Sequence, residues 1–341
     1  MLARALAGRG HDVRVLGPPG AVAERFGAIG VAYRPCPAAA AWDPEAFRRL
    51  GLDVAGEVRR APTDVAVVDY MQPSALCGAE AAGVPVVAFV HTLFRDLSPI
   101  HMAADVEGTN ALRSELGLPP VARLPELVQR APLVVVTTLD ELDRPEAVPA
   151  NVRYVGPLVE GPGPDEGWRP PGDRSDGPLV VVSMGTTPMG EGPVLQRVLD
   201  ALDGAALRVV ATLGPHLRAG DLRAPANATL TGYVCHAAVL PHADLAVNHA
   251  GLGSIGAALT AGVPVVCLPL GRDQPGNAEA AAAAGAGRVL PQDAPADRLR
   301  ATVLDALEDD ALLRAAARLA DRIRSLDGPT TAAESVEQLV V

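Results

Sequence analysis

The chain repeats one pattern twice: short apolar runs of strand length, each followed by an alanine-rich stretch of helix length. Parallel strands can be joined only through a crossover, so this alternation selects parallel sheets covered by helices over architectures built from hairpins. In the first half, strands are expected at residues 12–16, 31–34, 65–69, 84–90, 133–137 and 152–155, and helices at 21–26, 44–60, 73–82 and 105–116. Residues 159–178 are dominated by Pro, Gly and acidic side chains and read as a linker. The second half then offers strands at 179–183, 207–212, 228–231, 245–248, 263–268 and 288–290, and helices near 194–202, 254–261 and 276–284. Helical periodicity returns over 297–326, and 330–340 reads as a last helix. A chain of 341 residues exceeds what one core usually serves. The expected architecture is α/β, with two Rossmann-like, doubly wound domains facing across a cleft. Their expected limits are 1–158 and 179–327, with the linker between them and a C-terminal helix at 328–341.

The first domain begins oddly. Residues 1–9 already read as an amphipathic helix that runs through Gly10 and His11 into a strand. Doubly wound domains usually open with the strand that takes the centre of the sheet. That first strand is missing from the pattern here.

Composition narrows the chemistry. All 29 basic residues are arginine, against 40 acidic ones, for a net charge of −11. Without lysine the chain can form no Schiff base and supply no Walker-A or kinase phosphate lysine. The bias itself reads as GC-rich codon usage, given the abundance of Ala, Gly, Pro and Arg. Acidity with scattered arginines argues against a nucleic-acid partner. Cys36, Cys77, Cys235 and Cys267 lie far apart with no C-x-x-C spacing, so they are expected as free, buried thiols rather than disulfides or zinc ligands. No apolar run approaches membrane-span length, and the first residues lack the layout of a signal peptide. The expected setting is soluble and cytoplasmic, with no membrane partner.

The densest information lies in residues 233–277, which read Y-V-C-H-A-A-V-L-P-H-A-D-L-A-V-N-H-A-G-L-G-S-I-G and, further on, A-G-V-P-V-V-C-L-P-L-G-R-D-Q-P-G-N-A. A strand ends near Asn248, a glycine turn follows, and a helix starts near Ser254. That order sets backbone N–H groups and the positive end of a helix dipole at the carboxyl edge of the sheet, where a pyrophosphate fits. His249 can donate to a phosphate oxygen, Gly251 and Gly253 let the backbone approach, and the Ser254 hydroxyl adds a donor. Gly251, Gly253 and Gly256 also spell G-x-G-x-x-G, the fingerprint of a dinucleotide fold. That fingerprint needs an acidic residue at the end of the next strand, which closes instead on Cys267, Leu268 and Pro269. Nicotinamide or flavin binding is therefore the weaker reading, and no cofactor is expected.

In combination, H-x-G-x-G-S, G-V-P and D-Q-x-x-N-A resemble the donor signature of the family 1 nucleotide-sugar-dependent glycosyltransferases, which have the GT-B fold and include bacterial enzymes that decorate natural products. The resemblance implies that Tyr233 stacks on the nucleobase and that the backbone of Val234 reads its edge. It implies that His249, Gly251, Gly253 and Ser254 hold the pyrophosphate, and that Asp273 and Gln274 bind the sugar hydroxyls. Ser183, Met184, Gly185 and Thr186 resemble the first loop of the family's C-terminal domain, with Thr186 near the phosphates. Many members that use ribonucleotide donors carry a glutamate three residues after the motif serine. Ala257 stands there, so a dTDP-sugar is expected over a UDP-sugar. Cys235 and His236 replace a frequent Pro and Gln.

The implied reaction is inverting transfer of the sugar to a hydroxyl of a small hydrophobic natural product, of the hexosyltransferase type. The family's base is a histidine in the turn after the first strand, oriented by an aspartate that Asp69 matches. The histidine itself would fall upstream of Met1, in the portion this chain lacks. A sugar-nucleotide-binding partner of another glycosyltransferase, itself silent, is the alternative, and a homodimer stays open. His11 precedes a strand and reads as structural, as does His242. His91 and His101 are candidates to line the acceptor pocket. No metal site is expected, because Cys235, His236, His242 and His249 lack tetrahedral spacing.

Overall fold

The computed structural model describes residues 1–40, 43–97, 105–161 and 163–340. The chain divides into two compact units, Met1–Thr137 with Pro145–Val155 and Asp327–Val341, and Thr138–Arg144 with Gly156–Leu326. The first unit holds β1 (Arg14–Gly17), β2 (Ala32–Pro35), β3 (Ala66–Asp69), β4 (Val86–Val90), β5 (Leu133–Val136) and β6 (Val152–Tyr154). The second holds β7 (Leu179–Ser183), β8 (Arg208–Thr212), β9 (Ala228–Thr231), β10 (Leu245–Asn248), β11 (Val265–Cys267) and β12 (Gly287–Val289).

The sheet of the second unit is wholly parallel, in the order β12-β11-β10-β7-β8-β9. This is the doubly wound arrangement, in which the chain reverses direction between β7 and β10. Alternation along β7 feeds two cores. Leu179 and Val181 face Ala246, Ile255 and Leu259, while Val180 and Val182 face Leu195, Leu199 and Val247. A strand covered on both faces has to read as the continuous apolar run L-V-V-V.

The first unit contains a sheet ordered β3-β4-β5-β6 and a separate parallel pair, β1-β2. Among the described residues the two ladders share no strand, and β1 and β3 are not paired with each other. Arg14, at the start of β1, donates to the Pro62 carbonyl (2.8 Å) and the Thr63 hydroxyl (2.6 Å). β3 buries Val68 while Val67 is 39% exposed, whereas β4 and β5 are almost entirely buried. Beneath β3, the helices Pro44–Arg60 and Pro73–Ala81 pack through Gly51 and Gly78, where a Cβ on Gly78 would lie 2.2 Å from the Gly51 carbonyl oxygen.

Most expected elements are present within one to three residues at their ends. The helical stretch over 297–326 is two helices, Ala296–Leu307 and Asp310–Leu326. They part where the Asp309 carboxylate accepts from the Ala311 and Leu312 amides. The expected linker belongs to the second unit: Asp165 accepts from the Cys235 amide at 2.8 Å, and the Trp168 ring sits 5.7 Å from that of His242. All four cysteines are free. Cys36, Cys77 and Cys267 are buried and Cys235 is partly exposed, and burial pushes the Cys267 thiol up to about 12. Among the described residues no helix is long and apolar enough to cross a membrane.

The C-terminal helix Gly328–Val340 packs on the opening helix Leu2–Gly8 within the first unit. Glu337 accepts from Arg9 at 2.7 and 2.6 Å, and its Oε1 lies 2.8 Å from His11 Nε2. The Arg9 and His11 hydrogen bonds hold the Glu337 carboxyl down at about 2, against an ordinary value of 4.5. A depressed carboxyl stabilises the fold above its unfolded value and loses that contribution as pH falls towards its folded one. Amide exchange should therefore show helix Gly328–Val340 better protected in the wild type than in Glu337→Gln near neutral pH. The difference should shrink from about pH 4.5 and vanish near pH 2.

Candidate functional site

Two loops meet at the carboxyl edge of the second sheet, where the strand order reverses. β7 runs into Ser183, Met184, Gly185 and Thr186, and β10 runs into His249, Ala250 and Gly251 before helix Leu252–Thr260. Register pairs Asn248 with Ser183, so both loops leave the sheet at the same level. The Asn248 side chain accepts from the Ala250 amide at 2.8 Å, closing a tight turn that holds Ala250 at φ +66°.

The imidazole of His249 folds back between Gly185 and Gly251. A Cβ on Gly185 would lie 2.7 Å from its Cε1, and one on Gly251 would lie 2.7 Å from its Nε2. Burial lowers the pKa of His249 from 6.5, with a hydrogen bond to the Ser183 backbone and then the Asp273 carboxylate acting the other way, so the ring is neutral near pH 7. Its Nδ1 is buried without a hydrogen-bond partner among the described residues. The helix after the turn begins at Gly251, with no side chain capping its first amides. Those amides and the positive end of the helix dipole are therefore available to an anion.

The neighbouring motif supplies the rest of this edge. Tyr233 is 62% exposed and Val234 is buried. Thr186 and Gly253 are exposed and Ser254 partly so, whereas Ala257 is buried in the same apolar cluster as Val234. Asp273 is partly exposed at the head of helix Gln274–Ala283. Gln274 is buried, and its side-chain oxygen accepts from the Leu270 and Gly271 amides at 2.7 and 3.2 Å. The amide of Gln274 is thus already committed to holding the loop that precedes Asp273.

Three residues emerge that sequence reasoning left without a role. Asn277 is buried and donates to both the Ala250 carbonyl (3.2 Å) and the Asp273 carboxylate (3.0 Å), tying the glycine turn to the D-Q loop. Its signal was the four-residue spacing from Asp273, one helical turn. Asn248, the last residue of a buried strand, shapes the turn. His236 places Nε2 3.2 Å from the Ser183 hydroxyl, and burial lowers its pKa.

In the first unit, Asp69 ends β3 and His91 follows β4. The register pairs Asp69 with Phe89, so His91, two residues further on, lies on the same face. His91 Nε2 lies 3.1 and 3.2 Å from the two Asp69 oxygens, and the Tyr70 ring contacts the imidazole edge-on at 5.0 Å. Both partners are open to solvent, at 41% and 47% exposure. Asp69 also accepts from the Met71 amide at 2.9 Å. His101 falls outside the described residues. Among the described residues no three potential metal ligands cluster.

An all-parallel doubly wound sheet in a chain with a second Rossmann-like unit is the architecture of the GT-B class. Residues 196–339 match the family described as erythromycin biosynthesis protein CIII-like, C-terminal domain, and residues 1–159 match glycosyltransferase family 4. The chain is 31% identical over 239 residues to 4'-demethylrebeccamycin synthase of Lentzea aerocolonigenes, covering 68% of this chain and 56% of that protein. It is similar in fold to the glycosyltransferase of kitacinnamycin, with a TM-score of 0.83 at 24% identity over 99% of this chain and 94% of that one. The spinosyn rhamnosyltransferase SpnG complexed with thymidine diphosphate has a TM-score of 0.71 at 21% identity, over 98% and 95% of the two chains. The chain spans about half the length of the curated relatives it matches. The chain belongs to the GT-B, family 1 glycosyltransferases, alongside those of actinobacterial natural products.

The wedge of His249 between two glycines has a measurable consequence. Gly185→Ala adds a Cβ both at φ +91° and against the ring, whereas Gly204→Ala adds one at φ +64° with nothing within 4 Å. Denaturant unfolding should show Gly204→Ala costing about 1 kcal/mol and Gly185→Ala about 2–4 kcal/mol, the excess being the clash. Equal costs would remove the imidazole from that gap.

Proposed function

We propose that the chain transfers a sugar from a nucleoside-diphosphate donor to a hydroxyl of a small hydrophobic natural product. The observation that carries this reading is the turn Asn248–Gly251 with its uncapped helix and neutral His249, tied through Asn277 to Asp273. In this reading the pyrophosphate lies on the amides at the head of helix Leu252–Thr260, with His249, Ser254 and Thr186 donating to its oxygens. Tyr233 offers the face for the base, Val234 its backbone, and Asp273 its carboxylate to the sugar hydroxyls. Gln274 contributes by holding the loop. Helix amides stabilise the charge on the departing diphosphate, the role for which many sites use a metal or lysine. Attack by the acceptor from the face opposite the leaving group inverts the anomeric centre.

The donor is assigned as a dTDP-sugar. Ala257 stands where a carboxylate would grip a ribose, and its buried methyl has no polar group to offer a 2′-hydroxyl. The thymidine diphosphate bound by the spinosyn rhamnosyltransferase supports the same choice. The setting is cytoplasmic, and a homodimer is compatible with this reading.

Thermal shift tests the donor. TDP should stabilise the protein more than UDP at equal concentration, and a clear preference for UDP would refute the dTDP assignment. Ala257→Glu should narrow the gap. Transfer from dTDP-glucose, followed by chromatography of an acceptor panel, tests the activity itself. Firm nucleotide binding without transfer to any acceptor would favour a silent partner of another glycosyltransferase.

A further inference from the structure

β10 is hydrogen-bonded to β7 on one side and to β11 on the other, and the three strands end level at Ser183, Asn248 and Cys267. A contact between the segments that follow β7 and β11 therefore passes the end of β10, where the turn Asn248–Gly251 lies. Met189 and Gln274 make such a contact: the Gln274 amide nitrogen donates to the Met189 sulphur at 3.1 Å. A Cβ on Gly271 would lie 3.5 Å from Met189 Cε, so the thioether also packs on the loop ahead of Asp273. Met189 is held from its own side as well, its backbone amide donating to the buried Glu191 carboxylate at 2.8 Å. All of these residues belong to the second unit.

The orientation of the Gln274 side chain is fixed by its partners. A carbonyl oxygen has two lone pairs, and Oε1 accepts from both the Leu270 and the Gly271 amides. It has none left for the proton of a sugar hydroxyl. Nε2 consequently points the other way, towards a sulphur that accepts weakly and carries an apolar methyl group. Gln274 is 4% exposed, whereas Met189 is partly exposed, so the thioether covers the amide.

Resting on the transferase reading above, we propose that Met189 is a specificity-determining residue of the donor site, screening the Gln274 amide from the sugar. Of the D-Q pair, the Asp273 carboxylate then meets the sugar and Gln274 does not. A hydroxyl that leaves water to lie against a thioether loses a hydrogen bond, so a sugar deoxygenated at that position binds as well or better. The donor class selected in this way is a nucleoside-diphosphate deoxyhexose.

The test is one of binding. Isothermal titration of the 341-residue chain with dTDP-glucose and its 2-, 3-, 4- and 6-deoxy counterparts gives five affinities, each divided by that for TDP with the same variant. Wild type should bind one of the deoxy counterparts as tightly as dTDP-glucose, or more tightly. Met189→Ala uncovers the amide and should shift that ratio towards dTDP-glucose by roughly 3–10-fold, the worth of one neutral hydrogen bond. Met189→Ser should repeat the shift and guards against a folding defect in the alanine variant. Met189→Leu removes the sulphur but keeps the cover, so its ratio should stay within about twofold of wild type. A residue that merely held the loop would weaken every donor alike and leave the ratios unmoved. Unmoved ratios in Met189→Ala and Met189→Ser, or an equal shift in Met189→Leu, would overturn the assignment. So would a wild type that prefers dTDP-glucose by more than about tenfold over every deoxy counterpart, or one that binds TDP but none of the five sugar nucleotides. Wild-type protein that binds neither TDP nor UDP overturns the transferase reading, and this assignment falls with it.

Discussion

The imidazole of His249 occupies space that exists only because residues 185 and 251 have no Cβ. Much of the candidate site depends on that contact. It requires β7 and β10 to end level, which their register delivers by pairing Ser183 with Asn248. It requires the chain to double back immediately after Asn248, which the Asn248 side chain and the left-handed Ala250 accomplish. The glycines are needed for closeness of approach as much as for backbone freedom. Asn277 then carries the position of the turn to Asp273, so the glycine turn and the loop before helix Gln274–Ala283 move as one piece.

Charge is handled without concentrated cations. The chain has no lysine and a net charge of −11, and burial keeps both His236 and His249 neutral near pH 7. A pyrophosphate held here is balanced by oriented dipoles: helix amides, a neutral imidazole N–H and hydroxyls. Such dipoles are fixed by the fold and need no reorganisation when a bound anion gains charge, which is what the proposed transfer would ask of them.

The strand, turn and helix at the carboxyl edge of the second sheet were legible in the sequence because they are local. The strand 245–248, the glycine turn and the helix after it lie within twenty residues, and each announces itself by run length, glycine or periodicity. Contacts made between elements were not legible. Gln274 belongs to a motif that suggests sugar binding, but its burial and its hold on Leu270 and Gly271 appear only once the loop has closed. The break near Asp309 hid in a continuous helical pattern, because a capping carboxylate and an ordinary helix-surface aspartate look alike in a sequence. The pairing of Asp69 with His91 spans 22 residues and exists because β3 and β4 are neighbours with one particular register. A one-residue slip would send the two side chains to opposite faces.

That dependence on register sets the first unit apart from the second. In the second unit the site strands β7 and β10 each have a hydrogen-bonded strand on both sides, so their ends are fixed twice over. Among the described residues β3 has a strand partner, β4, on one side only. The place of Asp69 is therefore set by the single ladder to β4, by the Met71 amide that its own carboxylate accepts, and by the close Gly51–Gly78 contact between the helices that flank β3. β4 is the rigid member, buried along most of its length and paired on both sides. The histidine rides on the better-held strand and the carboxylate on the looser one. A side chain at the end of a strand paired on both sides is held by two ladders, so His91 depends on the sheet for its place, whereas Asp69 depends as much on the Met71 amide and on the helices packed beside its strand.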